Sequence, residues 1–353
     1  MTYDFNFLVT FKKKMRLNAL IGLFLTCTKI IHAGTSYFCS IINFSLINKS
    51  HIEKLLVTTG FPFENGTKSE VIDLVNELNK CDDLPDYPLQ VEEATGGFLS
   101  GEYPMICGGH FYTYDQCLVL GSDDFMVQLL TSRTDSASVV LKDKLWITGG
   151  LSGSNDPIET TEIIDLLNEE SQRGINLPEP MYSHCLAKID DNHALLTGGM
   201  TMYGSRRNTY LFSQDTNGWI KGPDMIQGRS EHTCGSFYSE FHSATIAIVA
   251  GGQDRGPVLD SVEILVLNSG QWIEGPKLLK PLYAASMVPL HHSVVVIGGV
   301  SGINEYQSAI YSLNCKEDDC QWTTLKQKLK VPRMQTVAMM IPDDLANCKV
   351  VSY

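Results

Sequence analysis

Residue types able to do chemistry are plentiful in this chain: nine histidines, ten cysteines and fourteen tyrosines. A metal or redox centre needs several of them to converge at ligand spacing. His184 and His232 lie in separate apolar segments 48 residues apart, and His291-His292 occupy a short turn. These positions share no ligand spacing, so the histidines read as neutral, hydrogen-bonded core and loop residues. A phosphate-cradling glycine loop, a G-x-S-x-G elbow and an H-E-x-x-H helix are all missing. No catalytic residue, cofactor or metal is therefore expected, and the chain reads as a non-enzyme.

The cysteines suggest oxidation rather than catalysis, because the N-terminus reads as an export leader. Lys12, Lys13, Lys14 and Arg16 precede an apolar run from Leu17 to Cys27, and Ala33 supplies a small residue for cleavage. Residues 1–34 are read as a signal peptide, with Met15 an alternative start. Three N-glycosylation sequons follow, at Asn43, Asn48 and Asn65. Secretion would permit disulfides. The alternative is a cytoplasmic protein in which the leader is spurious. Membrane association is expected only through an uncleaved leader.

The elements that must carry these residues are set by an internal repeat. The segments LLVTTG, YPMICGG, KLWITGG, HALLTGG, IAIVAGG and VVVIGG end at Gly60, Gly109, Gly150, Gly199, Gly252 and Gly299, at spacings of 49, 41, 49, 53 and 47. Each is a short apolar run closed by residues that tolerate positive φ. A polar loop follows each, then a second apolar stretch (TEIIDL, SVEILVL), a third anchored by Trp219, Trp272 or Trp322, and a fourth (SASVVL, EHTCGSF). Four short strands per unit, here A to D with the glycines ending A, describe a propeller blade. A blade cannot bury both faces alone, whereas a ring of blades can.

The glycine pairs followed by wider-spaced aromatics resemble the kelch repeat over about residues 52–341. The pattern departs at Thr59-Gly60, at Phe125 in place of Trp, and in unit 3, which has no aromatic there. WD40 signatures are absent. The resemblance implies an all-β, six-bladed kelch-type β-propeller with four antiparallel strands per blade. It gives the divisions 1–34 leader, 35–51 N-terminal segment, 52–346 propeller and 347–353 tail. The tryptophans are expected to pack between blades. On this reading each blade is contiguous in sequence, and the strand-like segments 36–48 and 347–353 are candidates for sealing the ring.

Kelch propellers include a copper oxidase related to galactose oxidase, but its convergent Tyr, His and Cys are not evident. Ser213–Trp219 only faintly resembles a sialidase Asp-box. Intracellular kelch adaptors carry a large helical module before the propeller, for which the segment before residue 52 has no match.

The strand placement yields three expected disulfides: Cys107–Cys117, Cys315–Cys320 and Cys39–Cys348. Cys185 and Cys234 then read as free buried thiols, and Cys81 is left over. A–B and C–D loops share one face of the disk. That face carries Arg133, Arg206, Arg207, Arg229, Arg255, Lys277, Lys280, Lys326, Lys328, Lys330 and Arg333 with Tyr112, Tyr114, Tyr203 and Tyr306. It reads as a basic, tyrosine-bearing surface opposite an acidic one. The candidate binding residues are Tyr112, Tyr114, Tyr203, Arg206, Arg207, Arg255 and Tyr306.

Composition narrows the partner. Charged residues make up 19% of the 353 and the formal charge is −13, so a nucleic-acid partner is not expected. The expected function is that of a monomeric, secreted binding module for a protein or glycan. The alternatives are an intracellular adaptor and an oxidase-like or glycan-processing enzyme.

Overall fold

A computed structural model describes residues 25–28, 38–41 and 54–350, apart from 63–66, 77–78, 111–114, 123–124, 268, 317–318 and 347. The chain divides into two units, Met1–His51 and Ile52–Tyr353. In the first, Leu25–Thr28 pairs antiparallel with Phe38–Ile41. The rest of the leader segment and all three sequon asparagines, Asn43, Asn48 and Asn65, lie outside the described residues. Among the described residues no helix is long and apolar enough to cross a membrane.

The second unit is a six-bladed propeller of antiparallel strands. Blade 3 shows the plan, running Ala137–Leu141, Lys144–Thr148, Thr161–Asp165 and Glu170–Arg173 from the innermost strand outward. Blades 2, 4, 5 and 6 repeat it, starting from the inner strands Thr95–Leu99, Cys185–Lys188, Thr233–Ser239 and Ser286–Leu290. In blade 1 the ladder holds Val337–Ile341, Lys54–Thr58 and Glu70–Ile72. Beside it, Asn79–Cys81 pairs with Cys348–Val350.

This arrangement corrects the expectation that blades are contiguous in sequence. Strand D of each repeat is the innermost strand of the next blade. The last one, Val337–Ile341, therefore has only the first repeat to join, and it pairs with Lys54–Thr58 in full register from Val337↔Thr58 to Ile341↔Lys54. The ring is sealed by its own displaced strand. The tail adds to the seal through Asn79–Cys81, and Lys54, almost fully buried, binds Asp73 at 2.8 Å and Asp343 at 3.0 Å across the same seam.

Burial follows strand position. Inner strands alternate buried and half-buried residues, as in Ala137–Leu141 and Val337–Ile341. The second strands are buried on both faces, and Lys54–Thr58 shows no exposed residue. That is why they read as unbroken apolar runs rather than alternating ones. Each core cluster draws on two neighbouring blades: Leu56 and Val71 pack with Ile106 and Leu120, and Leu55 and Val57 pack with Val295 and Ile297. Trp272 Nε1 donates to the Pro223 carbonyl at 3.0 Å, and Trp322 Nε1 to that of Pro276 at 2.9 Å, each reaching back to the preceding blade.

The glycine pairs lock neighbouring blades together. In each blade the N–H of the second glycine donates to a carbonyl on the connection into the next: Gly60 to Val91, Gly109 to Arg133, Gly150 to Met181, Gly199 to Arg229, Gly252 to Leu282 and Gly299 to Arg333, all at 2.7–3.1 Å. The first glycine lets that connection approach. A Cβ on Gly149, whose φ is 57°, would lie 2.6 Å from the Met181 carbonyl. Thr59 adopts the same left-handed turn in blade 1, at φ 61°.

Four disulfides occur among the described residues. Cys107–Cys117 and Cys315–Cys320 join adjacent strands as expected. Cys39–Cys348 is corrected, because Cys348 bonds Cys81, its register partner. Cys185 and Cys234 are not free thiols but a disulfide between the inner strands of blades 4 and 5, with Cα atoms 5.9 Å apart. The pairing follows from the corrected strand order, which makes these two strands neighbours in the ring.

Three buried arginines hold alternate connections. Arg133 donates to the Gly149 and Thr160 carbonyls and, at 2.6 Å, to Glu162. Arg229 repeats this with Gly251, Ser261 and Glu263, and Arg333 with Thr59, Lys68 and Glu70. All three arginines are at most 1% exposed. Each glutamate also accepts two backbone N–H groups just before the arginine: Leu130 and Thr131, Ile226 and Gln227, and Lys330 and Val331. Arg229→Met should lower unfolding stability by about 3–5 kcal/mol, because it leaves Glu263 buried and uncompensated. Arg229→Met/Glu263→Leu should recover only part of the loss, since the Ile226 and Gln227 amides stay orphaned. Denaturant unfolding of the two variants checks this ordering.

Candidate functional site

Two residues before each inner strand, the six connections place Glu93, Asp135, Ser183, Glu231, Ala284 and Gln335 in equivalent positions. All six take a left-handed backbone, with φ between 49° and 58°. Each such residue costs on the order of 1 kcal/mol. A backbone chain around the ring offsets the cost. Asp135 donates to Glu93, Ser183 to Asp135, Glu231 to Ser183, Ala284 to Glu231 and Gln335 to Ala284, at 2.9–3.2 Å. The side chain of Gln335 completes the circle, with Nε2 donating to Glu93 Oε1 at 3.3 Å.

These residues surround the mouth of the central channel, a cavity of about 130 Å³ also lined by Ser136, His184 and His232. Its chemistry is acidic. Burial pushes the Asp135 carboxyl well above its ordinary value, and Glu93 and Glu231 push it the same way against a hydrogen bond from Ser183. Burial raises Glu231 too, with Glu93 adding to it. Glu92, beside the mouth, rises to about 7 through burial and the charge of Glu93. Tyr182 and Tyr283 stand close enough that these carboxylates add to the effect of burial in raising both phenols.

His184 and His232 stay neutral, as their sequence context suggested. Burial lowers His184 to about 3 and carries His232 well below its usual value, with Arg133 and Arg229 adding to the effect in turn. Each Nε2 meets a threonine of the preceding blade, Thr148 at 2.8 Å and Thr197 at 2.9 Å. Among the described protein atoms, Nδ1 of both rings, Ser136 Oγ and Gln335 Oε1 are buried without a hydrogen-bond partner. All four atoms belong to residues that line this one small cavity. His291 and His292 stack against each other on a hairpin, with ring centroids 4.1 Å apart.

The expected binding residues are distributed around this face rather than gathered at its centre. Tyr203 is 74% exposed at the tip of the hairpin Met200–Ser205, with the Arg206 guanidinium 5.7 Å from its ring. Arg206 also pairs with Glu179 at 2.5 Å, and Arg207 with Asp224 at 3.7 Å. Arg255 sits exposed in the turn after Gly252 with φ 50°. Tyr306 packs against Phe61, centroids 5.6 Å apart. Tyr112 and Tyr114 lie outside the described residues.

The reading of the face as basic is corrected. Arg133, Arg229 and Arg333 are buried, Lys277 and Lys330 pair with Asp260 and Asp83, and the centre is a cluster of carboxylates. Sequence reasoning passed over Glu93, Asp135 and Glu231 because it weighed loops by their cations. Their signal was positional, three acids at one offset before strand D.

No protein-family model and no curated protein sequence matches the chain. The fold is that of a propeller of known structure. The protein YjhT aligns with a TM-score of 0.61 over 73% of this chain and 91% of its own, at 12% sequence identity. At that identity the likeness speaks to the fold alone.

Glu92 gives the mouth a pH signature. Its folded value of about 7 exceeds its ordinary 4.5, so stability is fully present below 4.5 and is lost as pH rises through 7. Glu92→Gln should therefore raise the melting temperature more at pH 8 than at pH 4. Thermal melts across that range check it, and a difference independent of pH would contradict it.

Proposed function

We propose that this chain is an extracellular, kelch-like binding module that holds a protein partner on the face around the channel mouth. The observation that carries the reading is convergence: all six blades deliver one residue each, in one backbone conformation, to a single polar cavity. Rigid scaffolds commonly present binding groups in this way. The loops around the mouth supply apolar contact surface as well. Met202 is 82% exposed and Ile303 96%, both on loops of this face. Exposed apolar tips around a polar centre suit a protein surface better than a glycan.

The kelch reading rests on the glycine pairs and on the tryptophans that reach the preceding blade. The extracellular reading rests on four disulfides, including one between residues 81 and 348. Cross-linking so distant a pair stabilises by on the order of 5 kcal/mol in the chain-entropy view, and structural disulfides of this kind are commonest in oxidising compartments.

The test is a contrast between faces. Immobilised full chain is exposed to extracellular fluid, and retained proteins are quantified. Met202→Glu/Ile303→Glu should reduce the proteins held by the wild type at least about tenfold. Leu167→Glu/Phe241→Glu, on the hairpins of the opposite face, should leave them unchanged. The reverse pattern would overturn the assignment.

A further inference from the structure

The chemistry of the channel mouth selects a ligand class, and this inference rests on the binding-module reading above. Among the described residues, no lysine or arginine lines the cavity. Glu93, Asp135 and Glu231 contribute carboxyl groups, and Glu92 stands beside them. The two histidines, which line it and are each 6% exposed, are neutral and add no positive charge.

The unpartnered atoms lean the same way. His184 Nε2 shares a hydrogen bond with Thr148 Oγ1 at 2.8 Å, and Nδ1 of the same ring is buried without a partner. Gln335 uses its amide N–H on Glu93, which leaves Oε1 as a buried acceptor without a donor. The mouth holds three carboxyl groups and an unpartnered acceptor, with no lysine or arginine among its lining residues. Tyr182 and Tyr283 stand close enough to feel the charge of these carboxyl groups.

We propose that the mouth receives a single basic side chain, arginine or lysine, projecting from the surface of the protein partner. A guanidinium brings five N–H donors and a positive charge, and an ammonium brings three. Either supplies a positive charge among the carboxyl groups and a donor for Gln335 Oε1. The cavity of about 130 Å³ admits the head of one such side chain. The exposed apolar tips at Met202 and Ile303 then meet the surface around it.

Protonation of the mouth opposes the cation. The groups that face it from the packed elements are Glu92, Glu93, Asp135, Glu231, Tyr182, Tyr283 and the two neutral histidines, with His110 Nδ1 4.0 Å from Glu93 and with Arg133 and Arg229 buried behind them. Glu92, at about 7, loses its proton between pH 5 and pH 8, and burial shifts Asp135 and Glu231 upward in the same direction, so affinity for the cation should rise with pH.

The experiment uses the full chain and four fluorescent cyclic hexapeptides that differ only at one turn-tip residue: Arg, Lys, Gln or Glu. Binding is read by fluorescence polarisation at pH 5 and pH 8. The Arg and Lys peptides should bind at least about tenfold more tightly than the Gln and Glu peptides, and more tightly at pH 8. Glu231→Gln and Asp135→Asn, each confirmed folded by circular dichroism, should weaken the Arg peptide at least about tenfold. Equal binding of the Glu peptide, binding unaffected in both folded variants, or no binding of any peptide would overturn the proposal. If the contrast between faces still held in that case, the binding-module reading would stand and only the cationic ligand would fall.

Discussion

Arg133, Arg229 and Arg333 are the constraint on which the rest of the molecule hangs. A propeller must carry its chain from the outer strand of one blade to the inner strand of the next through a crevice from which water is excluded. Backbone groups there need partners. In blades 1, 3 and 5 an arginine spans the crevice, binding carbonyls on the glycine turn and the third strand, while its glutamate takes two amides of the arriving chain. The desolvation cost of such a pair is met only because nearly every donor and acceptor is used. In blades 2, 4 and 6 the equivalent places are apolar: Val91, Met181 and Leu282 replace the arginines. Leu118, Tyr210 and Tyr311 replace the glutamates at the same strand register. The ring alternates ionic and apolar solutions to one problem.

That alternation leads directly to the mouth. Asp135, Glu231 and Gln335 each lie two residues beyond an arginine, held in a left-handed turn that an unconstrained chain would leave. The polar groups meeting at the channel are thus a consequence of how the connections are fastened. The disulfide between Cys185 and Cys234 fixes two inner strands beside the same opening. Stability and binding chemistry draw on the same residues, so changes to the fastening should be felt at the cavity.

The repeat, the blade count and two of the disulfides were legible in the sequence because glycine pairs and short apolar runs recur at nearly even spacing. The phase of the blades was not. An antiparallel strand pairs equally well with the strand before or after it, and nothing local in SASVVL or EHTCGSF marks it as belonging to the following unit. The misplaced boundary also hid the Cys185–Cys234 bond and the sealing of the ring by Val337–Ile341. The arginines were misread for a different reason. A charged residue in a loop ordinarily faces water, and burial becomes visible only when its partner is known. The partner was findable, since Arg-x-Asp, Arg-x-Glu and Arg-x-Gln recur at 133–135, 229–231 and 333–335, and the first two are followed about thirty residues later by Glu162 and Glu263.

The central claim is that the fastened connections bring carboxyl groups together at a buried mouth. Its most direct test is a carboxyl-carbon NMR titration of the intact protein with Asp135 assigned. The account predicts that Asp135 ionises well above the ordinary aspartate value of 3.8, and that Glu93→Gln lowers its midpoint. An Asp135 that titrates at the ordinary value, unaffected by Glu93→Gln, would contradict it.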